Sequence, residues 1–344
     1  MNVLTTEEIE KRISDSYELP NNVLDAVPEP LVTIRTSTYN HGPYIRQCIE
    51  GVLMQKTNFP FELIIGEDYS TDETRDIVFE YAKKYPDIIR VITADYNVGS
   101  KANGRRCIRA CRGKYIAICE GDDYWIDPYK LQKQVDFLEL HPSYSLVCCN
   151  FLKYDQDLGL FYERNKQKFP QNIREAFTFT NDYPNTWLTQ PLTCLYRKDF
   201  SEKINLEVYQ YARDVHFFYS LLKIGNGYFI NQNVGVYRLH EGGVYSKVSI
   251  VSKKISAFNM YRELYLHNYD HYSKSKYLIA IWDLLMLSIL RKIEFEKYKE
   301  CVISDFGKFG YWKILLSLPI GYICKYYKIY CVEPFFLFRK MVKC

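Results

Sequence analysis

The stretch Lys114–Gln134, KYIAICEGDDYWIDPYKLQKQ, reads as a buried strand that runs through an acid cluster into a helix. Tyr115 to Cys119 is a short, nearly continuous apolar run, the pattern of a strand covered on both faces. The run stops at Glu120-Gly121-Asp122-Asp123. Three carboxylates in four residues repel one another, and nothing in core packing requires them. A hard divalent cation with oxygen ligands relieves that repulsion. Asp127-Pro128 then reads as an N-cap followed by proline at the first helical position. Leu131, Val135 and Leu138 keep the spacing of a helix with one apolar face. Ligands of open α/β sheets bind at the carboxyl ends of strands, where these acids fall.

The same alternation extends upstream. Leu31–Arg35 is a strand ending in the polar turn Thr36–Gly42, and a helix follows from Pro43 to about Met54. Phe61–Ile65 is a second strand, ending in Gly66-Glu67-Asp68-Tyr69-Ser70-Thr71-Asp72. Ser70 or Thr71 can cap the next helix, which stops near Pro86. Ile88–Ile92 is a third strand, Asn97–Ser100 a loop and Asn103–Ala110 a helix. This is β-α-β-α-β-α-β at ordinary spacing, hence a parallel sheet with crossover helices. No Gly-x-Gly-x-x-Gly follows the first strand, which weighs against a dinucleotide-binding dehydrogenase. Ligand-type side chains gather instead after three strands: Ser37, Tyr39 and Asn40; Glu67 and Asp68; Glu120, Asp122 and Asp123. An aromatic there can stack on a base, a carboxylate can accept from base or ribose, and a metal can take phosphates.

These pieces resemble the inverting glycosyltransferases of family 2. The matching motifs are VTIRTSTYN (32–40), FELIIGEDYSTDETRDIV (61–78), NVGSKANGRRCIRACRGKYIAICEGDDYWIDPYKLQKQ (97–134) and YRLHEGGVYS (237–246), in that order. The resemblance covers roughly residues 31–245. It implies a GT-A fold: an α/β molecule with a mostly parallel central sheet flanked by helices, here with a C-terminal helical extension. It implies that Ser37 and Tyr39 line the base pocket, that Asp68 binds uracil or ribose, and that Asn97 belongs to the nucleotide site. Glu120-x-Asp122 takes the place of the D-x-D motif, with Glu120 toward ribose and Asp122 on Mg²⁺ or Mn²⁺. Glutamate stands where the family has aspartate, and its longer reach shifts that contact. Asp123 is next in line as a ligand. The family's general base is an acid often preceded by another; this chain has Arg213-Asp214, so Asp214 matches and the preceding acid is missing. His240, beside the hinge Gly242-Gly243, is expected to reach the diphosphate or metal.

Bulk properties agree with such an enzyme. A chain of 344 residues can hold one large domain plus an appendage. Residues 246–344 carry 17 Lys/Arg against 8 Asp/Glu, a local +9, so with a total of +4 residues 1–245 sit near −5. That asymmetry argues against a general nucleic-acid binder and suits a metal-holding body with a tail that meets anionic lipid. Eleven cysteines include no C-x-x-C pair, which argues against structural zinc. The polar, acidic opening MNVLTTEEIEKRISDSYE is not a secretory signal, and scattered thiols then imply a reducing cytosol.

Three segments are expected: residues 1–28 as an accessory piece, 29–248 as the catalytic domain, and 249–344 as a helical, basic, aromatic-rich region. Within the second, Ser145–Asn150, Thr193–Arg197, Tyr228–Ile230 and Val234–Tyr237 read as strands, Tyr209–Leu222 as a helix, and the polar 161–186 as a loop over the site. Tyr277–Leu290 is too short an apolar run for the roughly 20 residues a membrane span needs. Residues 306–344 hold eleven aromatics and seven Lys/Arg against one acid, Glu333, a composition fit for a membrane interface or for a lid. The expected reaction moves a sugar from a nucleotide diphosphate sugar, a UDP-sugar foremost, to a glycan or polyprenyl-linked glycan in the cytoplasm or at the cytoplasmic face of the inner membrane. The rival readings are a nucleotidyltransferase, for which STYNHG makes a poor triphosphate loop, and a non-catalytic sugar-nucleotide binder.

Overall fold

Apolar runs separated by capped polar turns become alternating strands and helices, and their order fixes where the acids sit. The computed structural model describes residues 4–163, 176–177, 188–243, 248–290 and 293–317. The chain divides into two compact units, residues 1–208 with 214–246, and residues 209–213 with 247–344.

The first unit opens with α1 (Thr6–Ser14), closed by a capping box between Thr5 and Glu8. Next come β1 (Tyr17–Glu18), α2 (Val23–Ala26), β2 (Val32–Thr38), α3 (Gly42–Leu53), β3 (Phe61–Glu67), α4 (Thr74–Lys84), β4 (Ile89–Thr93), α5 (Ser100–Ala110) and β5 (Tyr115–Ile118). After the acid turn follow β6 (Tyr124–Trp125), α6 (Lys130–Leu140), β7 (Tyr144–Asp155), β8 (Leu160–Glu163), β9 (Ala176–Phe177), β10 (Leu195–Arg197), α7 (Lys198–Ser201), α8 (Asp214–Ile224) and β11 (Asn226–Leu239). Among the described residues all eleven strands join one sheet, in the order β1-β4-β3-β2-β5-β10-β7-β11-β6, with β8 on β7 and β9 on β11. The β4-β3-β2-β5 centre is parallel, with Val32 opposite both Phe61 and Tyr115. Antiparallel β10 then leads to the parallel pair β7 and β11. Ile34, Leu63, Val91 and Ala117 on the strands pack with Ile49 of α3, Val78 of α4 and Leu131 of α6 in the main core.

Local departures from the sequence reading have identifiable causes. The helix expected at Asp127-Pro128 starts at Lys130, because Asp127 Oδ1 accepts the Tyr129 amide at 3.0 Å and closes a turn first. The helix expected at Tyr209 starts at Asp214. The amides of Gln210 and Tyr211 donate to the Glu263 carboxylate at 2.9 and 2.8 Å, so they are spent outside any helix. The two short strands expected within 228–237 are one strand, β11, with register shifts against β7. Residues 1–28 add β1 antiparallel to β4 at the sheet edge. The expected loop at 161–186 lies mostly outside the described residues, as do residues 318–344.

The second unit contains α9 (Ile250–Asn268), α10 (His271–Ile289) and α11 (Glu296–Leu316) around Phe258, Tyr277, Leu284 and Tyr298. Arg262 grips Asp305 through Nε and Nη2 at 2.7 and 2.8 Å, and the Tyr277 hydroxyl donates to the same carboxylate. Among the described residues no helix is long and apolar enough to cross a membrane.

Candidate active site

Because β2, β3, β4 and β5 run parallel, the loops leaving their carboxyl ends lie side by side, and hydrogen bonds stitch them together. The Asp68 amide donates to the Thr38 carbonyl at 3.1 Å, and the Gly121 amide to the Ser37 carbonyl at 3.0 Å. Asn97 Nδ2 donates to the Asp68 carbonyl at 2.9 Å. The Asp68 carboxylate accepts the amides of Val98 at 2.8 Å and Gly99 at 3.1 Å, with the Arg106 guanidinium 4.0 Å away. Burial pushes its pKa up to about 6 against the pull of those donors. Asp68 therefore shapes the Asn97–Gly99 loop as well as facing this edge. Glu67 beside it is fully buried and committed, accepting from the Ser70 amide, Arg75 and Thr93. Ser37 is half-buried, and Tyr39 is exposed.

The acid turn divides its three carboxylates among three partners. Glu120 reaches back along β2: Oε1 accepts from Arg35 Nη2 at 2.9 Å and Oε2 from the Ser37 amide at 3.2 Å. Burial raises its pKa, Arg35 opposes that, and the charges of Asp122 and Asp214 add to the rise. Asp122 turns the other way, with Oδ2 at 3.3 Å from His240 Nε2. Burial pushes Asp122 up, but the His240 hydrogen bond and the charges of His41 and His240 outweigh it and hold the carboxyl below its ordinary range. Asp123 is buried beneath. Its Oδ1 accepts the Arg238 amide at 2.9 Å, and burial, then Asp122, push its pKa well up.

Asp122 and His240 thus meet, while Asp123 is turned to the β11 backbone. Among the described residues no three His, Cys, Asp or Glu side chains form a group able to hold a metal ion alone. Asp214 stands exposed at the first residue of α8, without an ion pair among the described residues. It is near enough for its charge to bear on Glu120.

Three contributors escaped the sequence reading. Arg35 looks like an ordinary residue of β2, yet it neutralises Glu120. Arg238 sits in YRLH next to the expected histidine; its Nη1 donates to the Asp122 carbonyl at 2.8 Å. His41 precedes α3, and burial lowers its pKa; its Nδ1 and the Thr38 hydroxyl are buried without hydrogen-bond partners among the described residues. In each case the signal is only a polar residue beside a motif.

Comparison with known proteins agrees with this fold. The uncharacterized protein Rv1520 of Mycobacterium tuberculosis is 47% identical over 117 residues, which is 34% of this chain and 34% of that one. The chain thus matches about a third of that relative's length. TuaG of Bacillus subtilis, a glycosyltransferase assigned to teichuronic acid biosynthesis, is 28% identical over 69% of this chain and 89% of its own. Two solved structures share the fold. TarS of S. aureus in complex with UDP-GlcNAc superposes with a TM-score of 0.52 at 15% identity, covering 87% of this chain and 91% of that one. The mannosyltransferase PcManGT of Pyrobaculum calidifontis, in complex with GDP-Man and Mn²⁺, gives a TM-score of 0.52 at 15% identity, covering 93% and 90%. The architecture is the GT-A fold that the motifs imply. Residues 33–204, half of the 344, match the family described as glycosyl transferase family 2, and the chain belongs to that family.

Proposed function

We propose that the protein transfers a sugar from a UDP-sugar to a hydroxyl of a glycan or polyprenyl-linked glycan, with inversion at the anomeric carbon. The observation that carries this reading is the pairing of Asp122 with His240 beside the Glu120–Arg35 clamp, on an edge shared with Asp68 and within reach of Asp214. The UDP-GlcNAc complex of TarS and the GDP-Man and Mn²⁺ complex of PcManGT support a nucleotide-sugar donor.

In this reading Tyr39, an exposed ring, stacks on the base. The Asp68 carboxylate keeps acceptor capacity beyond its two amide bonds and takes a base or ribose hydrogen. Ser37 and Asn97 frame that pocket, and Glu120 faces the ribose. Asp122 and His240 would hold the divalent ion. A carboxylate kept ionised plus an imidazole fits such an ion, and the nitrogen favours Mn²⁺ over the harder Mg²⁺. Two protein ligands leave the other positions to phosphate oxygens and water. Asp123, bound to the β11 backbone, supports the pair from behind. When bound, the ion would supply charge neutralisation for the departing diphosphate. Asp214 takes the acceptor's hydroxyl proton as the oxygen attacks the anomeric carbon from the face opposite the diphosphate. An exposed carboxylate free of ion pairs can approach an acceptor without first breaking a bond.

The setting we infer is the cytoplasm, with the C-terminal region touching the cytoplasmic face of the inner membrane. The support is compositional: seven Lys/Arg against one acid across residues 306–344.

Release of UDP from a panel of UDP-sugars with Mn²⁺ tests the reaction. Asp122→Asn and Asp214→Asn should each abolish release, and only Asp122→Asn should weaken Mn²⁺-dependent UDP binding by calorimetry. Turnover by either variant at the wild-type rate, or equal loss of UDP binding in both, would contradict the assigned roles.

A further inference from the structure

Beyond the Asp122–His240 pair the same face of the sheet continues into a cavity of ≈ 280 Å³. Its walls are the rings of Tyr44 (α3), Tyr124 (β6), Tyr154 (β7) and Phe161 (β8), with Gln156 and the Arg238 guanidinium. The cavity adjoins the proposed metal site, since the Tyr44 ring lies 4.6 Å from the His240 ring. The guanidinium of Arg238 lies against two rings, with Cζ 4.4 Å from the Tyr124 centroid and 5.1 Å from that of Tyr44. Tyr154 and Phe161, paired across the β7–β8 hairpin, tilt together at 4.6 Å. Phe161 is 57% exposed, a large apolar ring left at the mouth of a cavity rather than in a core.

Arg238 is the unusual member. Only 5% of it is exposed, and it forms no ion pair with any carboxylate among the described residues. Asp157 and Glu241 lie near enough to bear on the Tyr44 hydroxyl, but neither pairs with the guanidinium. Its hydrogen bonds go to neutral oxygens, the Asp122 carbonyl and the Gln47 side-chain amide. Two of five N–H groups are thereby used. Two ring faces offset part of the cost of a buried cation, but a buried cation is normally completed by an anion. A pyranose presents C–H groups on its faces and hydroxyls around its rim. Such a body packs against flat rings while Gln156 and the tyrosine hydroxyls meet its rim. The volume falls just below the roughly 300–1,000 Å³ of drug-sized pockets, so it suits one sugar unit rather than a chain.

We propose that this cavity is a subsite for an anionic sugar unit, one bearing a carboxylate or phosphate that pairs with Arg238. The proposal rests on the glycosyl-transfer reading, under which the unit is either the donor's own sugar or a unit of the acceptor glycan. Saturation-transfer NMR on the full chain tests it with methyl glucuronide, glucose 6-phosphate and methyl glucoside, each with and without saturating UDP and Mn²⁺. The two anionic sugars should bind and the neutral glucoside should bind much more weakly. Phe161→Ala and Tyr154→Ala lie outside the residues assigned to UDP and metal; each should weaken binding about tenfold and leave UDP binding unchanged. Glucuronide binding that persists beside both UDP and UDP-glucuronic acid identifies an acceptor unit. Displacement of the glucuronide by UDP-glucuronic acid, but not by UDP, identifies the donor's sugar. Absence of saccharide binding in the wild type, or binding untouched by both variants, would overturn the subsite. Equal binding of the neutral glucoside would remove the role of Arg238. Failure of the wild type to bind UDP, with glucuronide still bound, would count against the transferase reading and not against the cavity.

Discussion

A methyl group at position 121 would lie 2.7 Å from the Thr38 hydroxyl oxygen and 2.9 Å from His41 Nδ1, closer than packed atoms approach. The acid turn can therefore press onto the loop after β2 only with glycine between Glu120 and Asp122. Gly121→Ala should cost about 1–3 kcal/mol in urea denaturation, the usual penalty for overpacking, and should displace Asp122, weakening Mn²⁺-dependent UDP binding. Wild-type binding in that variant would show that the turn tolerates the shift. Asp68 gives a second test at this scale. Its pKa is raised by burial from 3.8 to about 6, so between those values the folded protein holds a proton that the unfolded chain has released. Stability must then fall as pH rises from about 4 to about 6, and level off above. Asp68→Asn should lack this component, visible as a shallower decline in urea midpoint over that interval; identical profiles would mean that the shift is absent. That Asp122 and His240 meet could be anticipated, because clustered acids and a histidine two residues before a Gly-Gly pair stand out in a line of text. The roles of Arg35 and Arg238 could not, because a cation on a strand announces no partner until the sheet brings one.

At the scale of elements, parallel β2, β3, β4 and β5 were readable from apolar runs and caps alone. The short β6, β8 and β9 were not, since two to four residues carry no period. Glu62 breaks the apolar run of β3 and is fully buried. Its Oε1 accepts from the Thr33 hydroxyl at 2.7 Å, and its Oε2 accepts from Arg90 Nη1 at 3.2 Å and Arg112 Nη2 at 2.6 Å. One carboxylate thereby ties β2, β3 and β4 to the chain entering β5. Glu62→Gln takes from Arg112 its anion and leaves Arg90 only its pair with Glu18, in a buried setting, which should cost about 3–5 kcal/mol in urea denaturation. Since Glu62 lies at the far end of β3 from Asp68, UDP binding should survive where the variant remains folded. A loss below about 1 kcal/mol would mean that Glu18 and solvent, not Glu62, satisfy these arginines.

The molecule as a whole joins a sheet-based unit to a helical one. The helical unit takes up the chain from residue 247, near the change of composition, and it also includes Tyr209–Arg213, which nothing in the local sequence marks. That segment is held by the Tyr209 hydroxyl, which accepts from Asn268 at 3.0 Å, and by Glu263, contacts distant in sequence. The helical unit also bears the last test. After Gly307, which breaks α11 at φ 74°, one face of the final turns carries Tyr311 and Ile314 into the core. The other face exposes Phe309, Trp312 and Leu316 at spacings of three and four, 84%, 61% and 86% open, with Lys308 and Lys313 beside them. A short helix that is apolar outward, flanked by lysines and led into a basic aromatic tail, suits the interface of an anionic bilayer. The full chain should sediment with phosphatidylglycerol vesicles and not with phosphatidylcholine vesicles, and Trp312 emission should shift to the blue. Added salt should weaken the association, because the lysines act through screened charge. Leu316→Glu should reduce partitioning at least about tenfold, as withdrawal of one buried apolar side chain of about 1.5–3 kcal/mol requires. Equal affinity for both lipids would remove the electrostatic part of the argument, and an unchanged Leu316→Glu would place the contact elsewhere on the chain.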